Sequence, residues 1–184
     1  MFNVVSDIKE IFEIYPEVFN YKFPNHPLVD KMDNDYIHDF FNVLKEIGEN
    51  PDDYQFKFAY GFDSWDKTPC VGFVNENLTG SFVDGLLFGF LFSLEDNQVF
   101  GKLAVCYNQF DTDDEKIKYA NIYRSNLDNI PEDFNIPSKF YQAGDIIYKT
   151  YNIDDLDENE FISDFNYIIS AYNKLMPVYK ELFD

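Results

Sequence analysis

Carboxylates are the most abundant reactive groups in this chain: 34 Asp and Glu among 184 residues, against 14 Lys and Arg and two His. Several of them converging on a metal ion, with a lysine nearby, would make a nuclease. The densest groups, Asp111–Glu115 and Asp154–Glu158, instead stand where helices should begin. There they satisfy free backbone N–H groups and face the positive end of the helix dipole. Thr112 followed by Glu115 is the pattern of a capping box. His26 lies in a Pro-rich loop and His38 on the polar side of a helix, where it reads as a solvated imidazole and not a catalytic one. Cys70 and Cys106 are far apart in apolar surroundings, so they read as buried thiols without zinc-ligand spacing. The chain has no G-x-x-x-x-G-K-[ST], no G-x-G-x-x-G after a strand and no G-x-S-x-G elbow. No catalytic residue, metal ligand or cofactor is expected, and the chain is not expected to be an enzyme.

A second group of residues points to stacking rather than bond-breaking. It lies in the run Phe58-Ala-Tyr-Gly-Phe-Asp-Ser-Trp-Asp-Lys-Thr-Pro-Cys-Val-Gly-Phe73. Gly61 permits a sharp turn after Tyr60, and Phe62, Ser64 and Trp65 follow within it. Trp65 reads better as a residue packed beneath the turn, whereas Phe62, in a Gly/Asp/Ser setting, is as well suited to point outward. Lys57 and Lys67 flank the turn. They could contact phosphates or only neutralise nearby acids.

The elements that would carry this turn can be read from hydrophobic period. Ile8, Ile11, Phe12 and Tyr15 predict a first helix, capped by Ser6 or Asp7 and interrupted or kinked at Pro16. Asn20–Val29 reads as a loop. Ile37, Phe40, Phe41, Leu44 and Ile47 predict a second helix over about 34–47, stopping at Gly48. The period then changes to two. Tyr54, Phe56, Phe58 and Tyr60 make a half-buried strand, Gly61–Thr68 a polar loop, and Cys70–Val74 a short second strand. Leu86–Leu94 suits a central strand and Val99–Tyr107 the next. A helix over about 111–126, a strand at Ile146–Tyr151 and a closing helix that Pro177 should kink or end complete the chain. Sequential strands with short links favour antiparallel pairing. The fold class is therefore α+β: a mixed, mostly antiparallel sheet with N-terminal helices and a C-terminal helix packed on it. No repeat or linker divides residues 1–184, so a single domain is expected.

This order of features resembles the N-terminal domain family of McrB-type modification-dependent restriction enzyme subunits. The matching positions are Gly61, Trp65, Pro69, Phe73, Gly85, Phe92, Asn108 and Gln109, then Tyr141-Gln-Ala-Gly144, and Asp164, Phe165 and Tyr172 in the closing helix. The likeness covers roughly residues 54–176, after a helical lead-in over about 1–50. The resemblance implies a DNA-binding target-recognition module of a type IV-like, antiphage restriction system. Such a module flips a modified base, in the best-known members a methylated cytosine, into an aromatic-walled pocket. Carried over residue by residue, Phe62 takes the turn aromatic position, Cys70 the post-proline position and Leu87 a position on the facing strand. Cys70 and Leu87 stand where aromatics are common, and Asp63 where a small residue is. The implied nucleic-acid-binding set is Lys57, Tyr60, Phe62, Ser64, Trp65, Lys67, Cys70 and Leu87. A GTPase motor and a nuclease subunit are the implied partners.

Charge sets the alternative. The net charge of −20 is spread along the chain: −8 over residues 1–56, −6 over 57–150 and −6 over 151–184. A duplex repels such a surface at long range. The same fold could therefore serve as an acidic protein-interaction or DNA-mimic protein. The first residues carry Asp7 and Glu10 where a signal peptide would be basic and then apolar. No apolar run approaches the roughly 20 residues that span a bilayer. A cytoplasmic protein without membrane contact is expected.

Overall fold

A computed structural model describes residues 3–77, 82, 85–106, 109–134 and 142–183. Five strands form one sheet in chain order: β1 (Tyr54–Gly61), β2 (Trp65–Asn75), β3 (Leu86–Ser93), β4 (Gln98–Val105) and β5 (Asp145–Asn152). Every neighbouring pair is antiparallel. The helices are α1 (Val4–Val18), α2 (Pro27–Asp30), α3 (Ile37–Glu46), α4 (Asp113–Ser125) and α5 (Glu158–Phe183), so the chain is α+β with its sheet antiparallel throughout.

Residues opposite one another in an antiparallel ladder share a face of the sheet. Phe56, Phe73, Phe88, Leu103 and Ile147 form one row across all five strands. Phe40 of α3 and Phe165 of α5 pack on this face, with ring centroids 5.4 and 5.6 Å from that of Phe73. Tyr172 of α5 accepts the Asn75 backbone N–H at 3.0 Å, which fixes the helix against β2. At the β5 side of the same face, Lys149 meets Asp133, Glu160 and Asp164 at 2.6, 2.8 and 2.6 Å.

Several elements differ from the pattern expected of the sequence. Asn3, not Ser6 or Asp7, precedes α1, because Val4 and Val5 are buried and extend its apolar stripe by a turn. The second helix begins at Pro27, well before residue 34. His26 caps it, its Nδ1 accepting the Leu28 N–H at 3.1 Å. It then runs through a π-helical stretch, Lys31–Tyr36, into α3. Pro177 does not end the last helix, which continues to Phe183, and Pro16 likewise lies inside α1. In both cases buried neighbours (Tyr15 and Val18, Leu175 and Met176) hold the turn that the missing N–H would otherwise weaken. The polar loop Gly61–Thr68 shrinks to three residues, since β2 starts at Trp65 and takes in Asp66, Lys67 and Thr68. The capping box at Thr112 and Glu115 forms as expected. Among the described residues, no helix is long and apolar enough to cross a membrane.

Candidate nucleic-acid interface

One residue along each strand from the phenylalanine row lies a row of a different kind: Gly72, Gly89, Lys102 and Tyr148. On the same face it is flanked by Cys70, Leu91 and Phe100 on one side, and by Leu87, Ala104 and Asp145 on the other. Two adjacent strands thus present no side chain at the centre of the face. The surface sinks there into a hollow of about 300 Å³ lined by Cys70, Leu87, Leu91, Ala104, Lys102 and Asp145 among others. That is the lower end of the roughly 300–1,000 Å³ typical of small-ligand sites. Gly89 is required by close approach, because a Cβ on it would stand 2.1 Å from the Val71 carbonyl oxygen. Gly72 is not so crowded. A Cβ there would lie 3.5 Å from the ring of Phe82, which stands over the β2 side of the hollow.

The opposite side is polar. Lys102 Nζ donates to both carboxylate oxygens of Asp145, at 3.0 and 2.9 Å, and both side chains are buried. Asp145 reaches this face through a change of register. Leu103 pairs with Ile147 but Ala104 pairs with Asp145, so Ile146 is an extra residue on β5. Such a bulge re-aims the side chain beside it. Arg124 of α4 holds the bulge, its Nε donating to the Ile146 carbonyl at 2.7 Å while its guanidinium lies 5.7 Å from the Tyr148 ring centre. Burial pushes the Asp145 carboxyl up to about 6, against the pull of Lys102, and draws the Lys102 ammonium down. Burial, and then Asp66, push the Cys70 thiol up to about 11, so it is a neutral apolar wall and no nucleophile at neutral pH. Among the described residues, no group of three or more His, Cys, Asp or Glu could hold a metal ion.

The family model for the MrcB-like N-terminal domain matches residues 10–177. The chain belongs to that family. No curated protein matches it. The McrB N-terminal domain is the DNA-binding part of such systems and not their GTPase part, which is consistent with a DNA-recognition module.

In this MrcB-like domain the residues singled out in the sequence divide into three groups. Cys70 and Leu87 come together as walls of the hollow. Phe62 and Ser64 sit at the β1–β2 hairpin tip, with Phe62 90% exposed. Tyr60 and Trp65 lie on the helix-covered side. There Trp65 packs against Tyr15 and Phe23 and donates its Nε1–H to the Tyr21 carbonyl at 2.9 Å. The Tyr60 hydroxyl donates to Asp33 at 3.1 Å, and its carbonyl accepts from Tyr15 at 3.1 Å. The two lysines part company as well. Lys57 pairs with Gly72 and so projects on the hollow's face, whereas Lys67 is exposed in the irregular stretch of β2 between Trp65 and Cys70. Gln109, one of the family-pattern residues, accepts the Gly85 N–H at 3.1 Å and ties the start of β3 to the end of β4. Asn108 and Tyr141 lie outside the described residues.

Sequence reasoning missed Phe82, Lys102 and Asp145. Lys102 had a readable signal: it is the one charged residue in the apolar run Val99–Cys106. Asp145 had none, because its direction is set by the bulge.

Proposed function

We propose that this domain recognises DNA by accepting a base, turned out of the duplex, into the glycine-floored hollow. The observation that carries this reading is the hollow itself, an apolar, base-sized depression on the face that α1, α3 and α5 leave to the other side. Cys70, Leu87, Leu91 and Ala104 supply contact surface, and Phe82 offers a ring for stacking. Phe62, exposed at the hairpin tip, is placed to enter the space a displaced base leaves, as apolar wedges do between base steps. Turning a base out costs a few kcal/mol, which stacking and hydrogen bonds in a closed site offset. The base is a modified one in this reading, and a GTPase motor and nuclease subunit receive the signal.

Charge decides what kind of DNA binding this is. With net charge −20, Lys102 in the hollow's wall paired with Asp145, and Lys57 exposed on the same face, phosphate neutralisation contributes little. Each phosphate contact adds about −0.9 to the slope of log K against log salt, so a slope of about −2 or shallower is expected. Fluorescence titration of duplexes with a plain, a methylated or an unpaired base tests the reading. Ala104→Phe, which fills the hollow, should abolish the preference for the unpaired or modified base while leaving thermal unfolding close to wild type. Equal affinity for all duplexes in the wild-type protein would refute it.

The runner-up is an acidic interaction surface of the DNA-mimic kind, favoured by the even spread of negative charge. It predicts no DNA binding at any salt, and affinity for a basic protein that falls steeply as salt screens the charges.

A further inference from the structure

The chain has a single arginine, Arg124, among its 14 Lys and Arg residues. Arginine differs from lysine in carrying a planar fork of donors that meets phosphate oxygens two at a time. Here the fork is held from two sides. Nε donates to the Ile146 carbonyl at 2.7 Å and Nη2 to the Asp145 carbonyl at 3.4 Å, which engages one edge of the guanidinium. The Tyr148 ring centre lies 5.7 Å away. Because the group is planar, its other edge, Nη1 with the second Nη2 hydrogen, turns away from those carbonyls. Among the described residues, the hydrogen bonds of Arg124 go to these two carbonyls and to no carboxylate. The half-buried arginine lines a recess of about 280 Å³ between α4 and β5, together with Asn121, Ala143 and Tyr148. Asp145 is the one carboxylate in its walls, and Lys102 takes both of its oxygens. The recess therefore holds a fixed cation with an open edge in a strongly acidic chain.

We infer that Arg124 grips a backbone phosphate of the nucleotide whose base enters the hollow. Tyr148, which packs on the guanidinium, shares its row with Gly72, Gly89 and Lys102 and so marks the hollow's face. Two strand spacings, about 10 Å, separate Gly89 from Tyr148. That is the scale of one nucleotide, from its base to the phosphate beside its sugar. The open edge of the guanidinium donates two N–H bonds to the phosphate oxygens. The inference rests on the base-accepting role proposed for the hollow and adds where the backbone is held while the base is inside. A single short-range contact of this kind is compatible with the acidic charge. It positions the strand and carries no sequence information of its own. A lysine at the same place would bring the charge without the fork that also bonds the bulge.

The test uses the whole chain and a duplex carrying one unpaired cytosine, with each phosphate around it replaced in turn by a neutral methylphosphonate. For the wild type, one position flanking the unpaired residue is expected to cost about 10-fold in affinity, the scale of a lost charge-assisted hydrogen bond. Arg124→Gln should weaken binding by a similar factor and make the salt slope shallower by about 0.9. It should also make the sensitive position silent. A variant that merely loosened the β5 bulge would bind less tightly and keep that sensitivity, so the coupling separates a phosphate contact from a structural role. If the wild type prefers the unpaired duplex yet no single methylphosphonate stands out, the inference fails while the hollow's base-accepting role stands. The same holds if Arg124→Gln remains as sensitive as wild type at the same position. If an unpaired cytosine binds no better than a fully paired duplex, both fail. The wild-type scan needs no variant, so misfolding of the substituted protein does not shield the inference.

Discussion

On the helix-covered face, Phe56, Phe73, Phe88, Leu103 and Ile147 fill the sheet from edge to edge. One position along on the other face, Gly72 and Gly89 leave its centre without side chains. Both rows belong to the same strands and differ only in the residue type at alternate positions. Packing on the first face holds the strands in register, so the second can give up side chains at its centre without the sheet coming apart. A core and a receptacle are thus two readings of one hydrogen-bond ladder, and substitutions can separate them.

The largest separation should come from truncating neighbours on β3. Phe88 is fully buried against Tyr172 and Phe165, so Phe88→Ala should cost about 3–5 kcal/mol in urea unfolding. Leu87, next in the chain but a half-buried wall of the hollow, should cost less than about 1.5 kcal/mol as Leu87→Ala. The glycines sharpen the contrast within the hollow. Gly89→Ala drives a methyl into the Val71 carbonyl and should destabilise by about 1–3 kcal/mol. Gly72→Ala, in ordinary contact with Phe82, should stay within about 0.5 kcal/mol.

The closed side also holds an acid-sensitive seam between α1 and α3. Burial, then the neighbouring Asp39, raise the Asp7 carboxyl from 3.8 to about 7. Folding therefore takes up a proton between about pH 4 and pH 7, and this contribution to stability falls as pH rises through that window and is flat above it. Melting followed from pH 5 to 8 should show the decline, and Asp7→Asn should flatten it. The smallest effect on stability belongs to the hairpin tip. Phe62→Ser should unfold within about 0.5 kcal/mol of wild type, while its affinity for a duplex with a displaced base should drop by up to about 10-fold, the scale of one lost stacking contact.

Much of this was legible because it is local. Period-two alternation from Tyr54 to Tyr60, the capping box at Thr112 and the stripe from Phe161 to Leu175 each declare themselves within a few residues. The helix start at Pro27 was hidden because two prolines in Asn20–Val29 mark a loop as readily as a first turn, and only the His26 cap decides between them. Pro177 misled for a related reason: its penalty is local, but the burial that overrides it is tertiary. At the site, Cys70 and Leu87 could be paired through the resemblance, whereas Phe62, Tyr60 and Trp65 could not be assigned to a face without the irregularity in the β1–β2 ladder beside Gly61. Lys102 and Asp145 meet across 43 residues, and a one-residue insertion on β5 chooses the direction of Asp145. No periodicity carries that information.

Because each strand bonds only to its neighbours in the chain, the depression is framed by separate hairpins and not by a threaded crossover. The connection from β1 to β2 and the one from β2 to β3 can lengthen, shorten or change composition without rerouting the backbone beneath them. A lineage carrying this scaffold could therefore reshape the depression one loop at a time, while the phenylalanines on the reverse stay put.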